Sequence, residues 1–172
     1  MTTSPLKVGF IGLGIMGAPM AQRLQAAGHQ LFVATRGKVR PEIAESGMTI
    51  CTSARDVAER ADIVITMVPD TPDVEKVLFG KDGVAEGLSA SAGGPSGRVG
   101  KLVIDMSSIS PIATKDFAAR INALGCDYLD APVSGGEVGA KAGTLTIMTK
   151  RMYPDAAVVG LDADPRVLAI AR

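Results

Sequence analysis

Gly12, Gly14 and Gly17 interrupt an apolar run near the start of the chain, in the stretch KVGFIGLGIMGAPM at residues 7–20. The residues before Gly12 form an apolar run of the length of a buried strand, and those after Gly17 follow helical spacing. A second strand-like run ends roughly 20 residues further on, which is the spacing of a dinucleotide-binding unit. This stretch therefore predicts a strand, a glycine loop and a helix that together hold a nucleotide, with a purely structural turn as the alternative.

Each glycine has a separate physical role in such a loop. Gly12 permits the tight turn, Gly14 lets the backbone approach a pyrophosphate without a Cβ in the way, and Gly17 lets the helix pack close to the strand. The amides of the two residues after Gly14 would then point at the phosphates from a helix N-terminus. The candidate cofactor-binding residues of the loop are Gly12, Leu13, Gly14, Ile15, Met16 and Gly17.

The end of the second strand bears on which dinucleotide is bound. The sequence there is VATRGK, with Thr35 and Arg36 and no acidic residue. A carboxylate at this place would bind a ribose 2′-hydroxyl, whereas a guanidinium can hold a 2′-phosphate through charge-assisted hydrogen bonds. NADP(H) is therefore preferred and NAD(H) is the alternative. An Arg36 that stacks on the adenine, or that is simply solvated, would leave the two cofactors undistinguished.

Strand-like and helix-like runs alternate along most of the chain, and this pattern predicts an α/β fold with a doubly wound, mainly parallel sheet. Six strands are expected, with helices between them and a Ser53 cap on the helix that follows the third strand. The segment SASAGGPSGRVGK at residues 89–101 has no periodicity and predicts a surface loop. The predicted strands are KVGFIG, QLFVATR, MTIC, DIVITMVP, LVIDMSS and CDYLDAP.

Composition excludes several other classes of function. The formal net charge is zero, which gives no electrostatic attraction to nucleic acid or to an anionic membrane. Cys51 and Cys126 have no metal-ligand spacing and are expected to be buried thiols, and a single histidine argues against a zinc site. No apolar segment is long enough to cross a bilayer and no signal peptide precedes Lys7, so a cytoplasmic protein without metal is expected.

Four segments resemble the β-hydroxyacid dehydrogenases, which use NAD(P) to transfer hydride to and from small 3-oxo and 3-hydroxy acids. They are VGFIGLGIMGAPMA, DIVITMVPDTPDVEKVLFG, VIDMSSISPIAT and YLDAPVSGGEVGAKAGTLTIM. The resemblance covers residues 7–148, in the order that the family has. It implies a Rossmann domain at residues 1–148, and it identifies the chain as similar to the family's cofactor-binding half.

The resemblance assigns roles to residues beyond the glycine loop. Val68 and Pro69 would line the adenosine side of the cofactor, and Ser107 with its neighbour Ser108 would lie near the nicotinamide. Ser134, Gly135 and Gly136 match the family's segment that binds the substrate carboxylate. A hydroxyl and unhindered backbone amides at the end of a strand can form a small anion cradle, and an ordinary flexible turn is the alternative.

The chain departs from the family after Met148. The family continues into an all-helical domain that carries a general-acid lysine in a GxGxxxK context, and none of Lys101, Lys115, Lys141 or Lys150 stands in that context. The resemblance therefore implies cofactor binding with impaired turnover, and no catalytic residue is assigned. A homodimer that covers the apolar surface left by the helical domain is a further hypothesis, and a non-catalytic nucleotide-binding module is an alternative function.

Residues 149–172 resemble something else. Together with the residues before them, they are similar to class I S-adenosylmethionine methyltransferases just after their glycine loop, and Asp162 would match the acid that holds the ribose of the methyl donor. The glycines before this segment lack the compact GxGxG form, which argues against methyl-donor binding. A helix, a strand and a helix on the edge of the sheet are expected for the tail.

Overall fold

Parallel pairing joins six strands into one sheet, as the alternating pattern predicts. The computed structural model describes residues 5–89, 100–142 and 146–147. The strands of the sheet are β1 (Lys7–Ile11), β2 (Gln30–Ala34), β3 (Thr49–Ile50), β4 (Ile63–Thr66), β5 (Leu102–Asp105) and β6 (Asp127–Asp130). Their order is β3-β2-β1-β4-β5-β6, and every pairing is parallel. The chain therefore reverses its direction across the sheet between β1 and β4, and such a switch point is where open α/β sheets bind ligands.

Helices cover both faces of this sheet. The helices are α1 (Gly17–Ala26), α2 (Pro41–Ala44), α3 (Ala54–Arg60), α4 (Thr71–Phe79), α5 (Val84–Ser89), α6 (Pro111–Asn122) and α7 (Gly136–Ala142). A two-stranded antiparallel ribbon of β7 (Val133–Ser134) and β8 (Thr146–Ile147) follows the main sheet. Within the described ranges, no helix is both long and apolar enough to cross a membrane.

The core consists of two apolar clusters, one on each face of the sheet. Strand side chains alternate between the two faces, so that Val8 and Phe10 of β1 belong to one cluster and Ile11 to the other. The first cluster packs α1 and α2 against the sheet, and the second packs α3, α4, α5 and α6 against it. The core is aliphatic for the most part, and Cys51 and Cys126 are buried free thiols, as expected.

Short elements account for the differences between expectation and structure. The Ser53 cap is confirmed, because its Oγ accepts a hydrogen bond from the Asp56 amide at 3.1 Å. Helices α5 and α7 and the β7–β8 ribbon were not predicted. A glycine lies in the middle of α5, where a Cβ on Gly87 would come within 2.5 Å of the Arg55 carbonyl oxygen. The glycine lets α5 approach α3, and it also weakens the helical signal in the sequence.

Parts of two expectations lie outside the described residues. Residues 90–99 of the expected surface loop are among them, and so is the whole of the 149–172 tail. Ile112 at 83% and Val138 at 81% exposure are among the large apolar side chains on the surface. Their exposure is compatible with the expected homodimer but does not test it, so the homodimer stays a prediction.

The glycine loop holds α1 unusually close to β1. A Cβ built on Gly17 would lie 1.9 Å from the Gly12 carbonyl oxygen, and a Cβ on Gly12 would lie 2.2 Å from the Met67 carbonyl oxygen. Gly12 also has a φ of +98°, which L side chains rarely adopt. At Gly14, by contrast, a Cβ would meet nothing within 4 Å. Gly12 and Gly17 are thus required by packing, and Gly14 is not.

This contrast predicts different results for the same substitution at two glycines. Gly17→Ala should lower the free energy of unfolding by about 1–3 kcal/mol, because the new methyl group overlaps backbone that cannot move without shifting α1. Gly14→Ala is the matched control, and it should leave the free energy of unfolding close to that of the wild type. Urea unfolding of both variants measures this, and equal stability of the two would contradict the packing argument.

Candidate functional site

A cleft of about 790 Å³ lies at the carboxyl edge of the sheet, at the switch point between β1 and β4. The ends of β1, β2 and β4 and the loops that follow them form its walls. Ten of the eleven residues predicted to bind the cofactor line it. They are Gly12, Leu13, Gly14, Ile15, Met16, Gly17, Thr35, Arg36, Val68 and Pro69. The fold therefore brings together residues that lie up to 57 positions apart in the sequence, from Gly12 to Pro69.

The glycine loop forms one wall of the cleft and leads into the N-terminus of α1. Gly14 and Ile15 are exposed. Within the described part of the chain, no group accepts a hydrogen bond from the backbone amides of Gly14, Ile15 or Met16. Helix α1 has no acidic residue in its first turn, so its positive end faces the cleft without a carboxylate of its own. Free amides at the positive end of a ten-residue helix favour an anion such as a pyrophosphate.

Arg40 supports this loop from behind, and sequence reasoning did not identify it. Its Nη2 donates to the carbonyl oxygens of Leu13 at 3.2 Å and of Gly14 at 3.0 Å. Because these bonds fix the direction of two carbonyl groups, they also fix the orientation of the peptide groups in the loop. No sequence signal marks the contact, because Arg40 lies 26 residues after Gly14 and looks like an ordinary residue before a helix.

Arg36 occupies the cleft wall at the end of β2, where the sequence places it, but it has a partner that the sequence did not indicate. Its guanidinium forms an ion pair with Asp73 from the first turn of α4. Arg36 Nη1 donates to Asp73 Oδ1, and Nη2 donates to Oδ2 at 3.0 Å. The side chain of Arg36 is 63% exposed, so its outer edge is open to a ligand.

The opposite wall is the loop after β4, and Ser107 holds it in place. Ser107 is buried, and its Oγ accepts a hydrogen bond from the Val68 amide at 3.0 Å. Ser107 is absent from the lining of the cleft, whereas the exposed Ser108 belongs to it. A contact between Ser107 and the cofactor stays a prediction, and what the structure gives this residue is a contact with the loop that lines the cleft.

A buried carboxyl group, Asp105, organises the same region and was not singled out from the sequence. Asp105 Oδ1 accepts hydrogen bonds from Thr66 Oγ1 at 2.8 Å and from the Ser107 amide at 3.0 Å. Its Oδ2 accepts a third from the Tyr128 hydroxyl at 3.0 Å. These bonds join the carboxyl ends of β4 and β5 to the Tyr128 side chain of β6. An acidic residue at the end of an apolar strand was the only available signal.

Burial raises the pKa of Asp105 above its ordinary value of 3.8, and the hydrogen bonds from Ser107, Thr66 and Tyr128 oppose that shift without cancelling it. A carboxyl group whose pKa is higher in the folded chain binds protons more readily there than in the unfolded chain. The contribution of Asp105 to the free energy of unfolding therefore falls as pH rises from about 3.8 through the folded pKa, and it is constant above that.

Replacement of Asp105 by Asn should remove this pH dependence. The difference in free energy of unfolding, wild type minus Asp105→Asn, should decrease as pH rises above 3.8 and then level off. Urea unfolding over a pH series measures it, and Asp127→Asn, at an exposed position on β6, controls for the loss of a surface carboxyl group. A difference that is constant or grows over this window would contradict the assignment.

The expected substrate cradle lies apart from the lining of the cleft. Ser134 ends β7, and Gly135 and Gly136 follow with φ values of +111° and +59°. All three are exposed, and none belongs to the cleft lining. Their role in binding a carboxylate stays a prediction. In the described ranges, no group of three or more histidine, cysteine or acidic side chains is arranged to hold a metal ion.

Comparison with known proteins gives a family match over most of the chain. A family model described as the NAD binding domain of 6-phosphogluconate dehydrogenase matches residues 7–151. The chain is 55% identical over 143 residues to 2-hydroxy-3-oxopropionate reductase of Escherichia coli strain K12, an alignment that covers 83% of this chain and 46% of that relative.

Solved structures give the same result. Mycobacterium tuberculosis 3-hydroxyisobutyrate dehydrogenase with L-serine superposes with a TM-score of 0.67 at 35% identity, over 84% of this chain and 46% of that one. A structure of Psf3 in complex with NADP+ and 2-OPP superposes with a TM-score of 0.67 at 29% identity, over 80% of this chain and 46% of that one. The chain thus spans about half the length of these relatives.

Proposed function

Since this chain belongs to the family of the NAD-binding domain of 6-phosphogluconate dehydrogenase, we propose that its cleft binds NADP(H) in preference to NAD(H). The position of Arg36 carries the proposal. This guanidinium lies on the cleft wall at the end of β2, where a domain that selects NAD(H) has a carboxylate for the ribose 2′-hydroxyl. One structural neighbour was solved with NADP+, which is consistent with the proposal.

The glycine loop fits a dinucleotide pyrophosphate. A Cβ on Gly14 would project into open space, so the backbone there is free to contact a ligand that a larger residue would keep away. In the proposed mode of binding, the amides after Gly14 hold the pyrophosphate and Arg36 holds the 2′-phosphate. Arg40 acts through the loop, because its bonds to the carbonyl oxygens of Leu13 and Gly14 keep the amides oriented.

The reaction proposed for the complete enzyme is hydride transfer between the nicotinamide and a small 3-oxo or 3-hydroxy acid. Its support is the 55% identity to 2-hydroxy-3-oxopropionate reductase, also called tartronate semialdehyde reductase. When bound, the nicotinamide supplies or accepts the hydride. This chain's share of the work is to bind and orient that cofactor, and to hold the β4 loop in place through the Ser107 and Asp105 contacts.

Ser134, Gly135 and Gly136 are the proposed binding site for the substrate carboxylate. The two positive φ values turn the backbone at the end of β7, and consecutive amides in such a turn form a concave site for an anion. The exposed Ser134 hydroxyl adds a donor at the same place.

Neutralising Arg36 should weaken the binding of the phosphorylated cofactor alone. In calorimetric titrations of the full chain, Arg36→Gln should raise the Kd for NADPH about tenfold, because a charge-assisted hydrogen bond is lost. The Kd for NADH should change less than about twofold, since NADH has no 2′-phosphate. Lys115→Gln, at an exposed position on α6 outside the cleft lining, controls for the loss of one positive charge.

Equal weakening of both cofactors by Arg36→Gln would contradict the NADP(H) preference. The titration includes S-adenosylmethionine as a ligand of a different class. Saturable binding of that ligand, with no binding of NADPH or NADH by the wild type, would contradict the proposed function as a whole.

The substrate cradle has its own test. The NADP+-loaded chain should bind glycerate, the 3-hydroxy acid formed when 2-hydroxy-3-oxopropionate is reduced, and Ser134→Ala should raise the Kd for glycerate about fivefold through the loss of one donor to a charged group. Ser110→Ala is the matched control, because the Ser110 side chain makes no cap hydrogen bond at the start of α6. An unchanged Kd for glycerate in Ser134→Ala would remove Ser134 from the cradle.

A further inference from the structure

The ion pair between Arg36 and Asp73 has a consequence for cofactor choice. The two residues lie 37 positions apart, on β2's carboxyl end and in the first turn of α4, and both line the cleft. Their contact is bidentate, because each terminal nitrogen of the guanidinium donates to a different carboxylate oxygen. Two of the five N–H donors of Arg36 are therefore directed at Asp73.

Asp73 is the better fixed partner of this pair. Asp70 caps α4, and its Oδ1 accepts a hydrogen bond from the Asp73 amide at 3.0 Å. The Asp73 side chain is only 19% exposed, against 63% for Arg36. A carboxylate in the first turn of a helix is also favoured by the helix dipole. A ligand that recruits Arg36 therefore has to compete with an anchored carboxylate.

The charges around the pair make this competition selective. A 2′-phosphate that takes the Arg36 donors bound to Asp73 must displace that carboxylate, and one that uses the three remaining donors brings its negative charge close to it. Lys76 and Lys81 also line the cleft and contribute positive charge to it. NAD(H), whose adenosine ribose has a 2′-hydroxyl in place of the phosphate, leaves the ion pair intact and is not repelled by Asp73.

We propose that Asp73 is a specificity-determining residue that acts through Arg36. By holding the guanidinium in a bidentate pair, it weakens the binding of NADP(H) and leaves that of NAD(H) unchanged. The inference rests on the proposed function, since it requires the cleft to bind a nicotinamide dinucleotide with its adenosine ribose beside Arg36. Cofactor choice would then depend on a residue of α4 as well as on Arg36 at the end of β2.

Asp73→Asn tests this proposal, because asparagine keeps the shape and removes the charge. In titrations of the full chain, its Kd for NADPH should fall about fivefold relative to the wild type, and its Kd for NADH should stay within about twofold. The fragments 2′,5′-ADP and 5′-AMP should show the same contrast, which a merely structural role would not produce. An unchanged or higher Kd for NADPH overturns the proposal.

Glu75→Gln is the matched control. It neutralises an acid on the same helix whose partner is Arg120, at 3.4 Å, and which lies outside the cleft lining. Both Kd values should be those of the wild type, and a fall in the Kd for NADPH as large as that of Asp73→Asn overturns the proposal, because it would show a general charge effect. Should Asp73→Asn fail to fold by circular dichroism, Asp73→Ser serves in its place with the same expected result.

A double variant separates action through Arg36 from direct repulsion of the phosphate. In the Arg36→Gln background, the gain in NADPH affinity from Asp73→Asn should shrink to less than half, and an equal gain overturns the proposal. If the wild type binds neither NADPH nor NADH, the proposed function fails together with this inference. If it binds them and Asp73→Asn changes nothing, only the inference fails.

Discussion

The close approach of α1 to β1 is the constraint on which the rest of the site depends. Glycine alone fits position 17 without a shift of the backbone, because a methyl group there would lie 1.9 Å from the Gly12 carbonyl oxygen. This contact brings the start of α1 to the carboxyl end of β1, at the point where the sheet reverses its order. The helix N-terminus, with amides free to bind an anion, therefore faces the cleft rather than solvent elsewhere. Arg40 then fixes the loop from the other side by bonding two of its carbonyl groups.

A second set of contacts holds the facing wall. Asp105 is buried and connects β4, β5 and β6 through Thr66, the Ser107 amide and Tyr128. Ser107 also fixes the loop after β4, because its Oγ accepts a hydrogen bond from the Val68 amide. The cleft is thus bounded by a loop held by packing and a loop held by buried hydrogen bonds. Contacts within the chain hold both walls, and fixing a wall in this way lowers the conformational-entropy cost of binding a ligand to it.

The sequence predicted the features that depend on residues close together along the chain. The six strands follow from apolar runs, the Ser53 cap from a hydroxyl before a helix, and the glycine loop from its place between β1 and α1. The contacts that tune the site escaped prediction because they join distant segments: Arg40 to the loop, Asp73 to Arg36 and Asp105 to Tyr128. Helix α5 was missed for a different reason, since Gly87 serves its packing against α3 and weakens its own helical signal.

Amide NMR of the labelled chain during a titration with NADPH tests the central claim most directly, because it reports which backbone groups meet the ligand. The account predicts saturable shifts concentrated at residues 12–17, at Thr35 and Arg36 and in the loop after β4, with the amides of α6 beyond its first turn unaffected. The account would be contradicted if the amide signals of residues 12–17 did not shift, or if the signals that shift came from residues on the far side of the sheet.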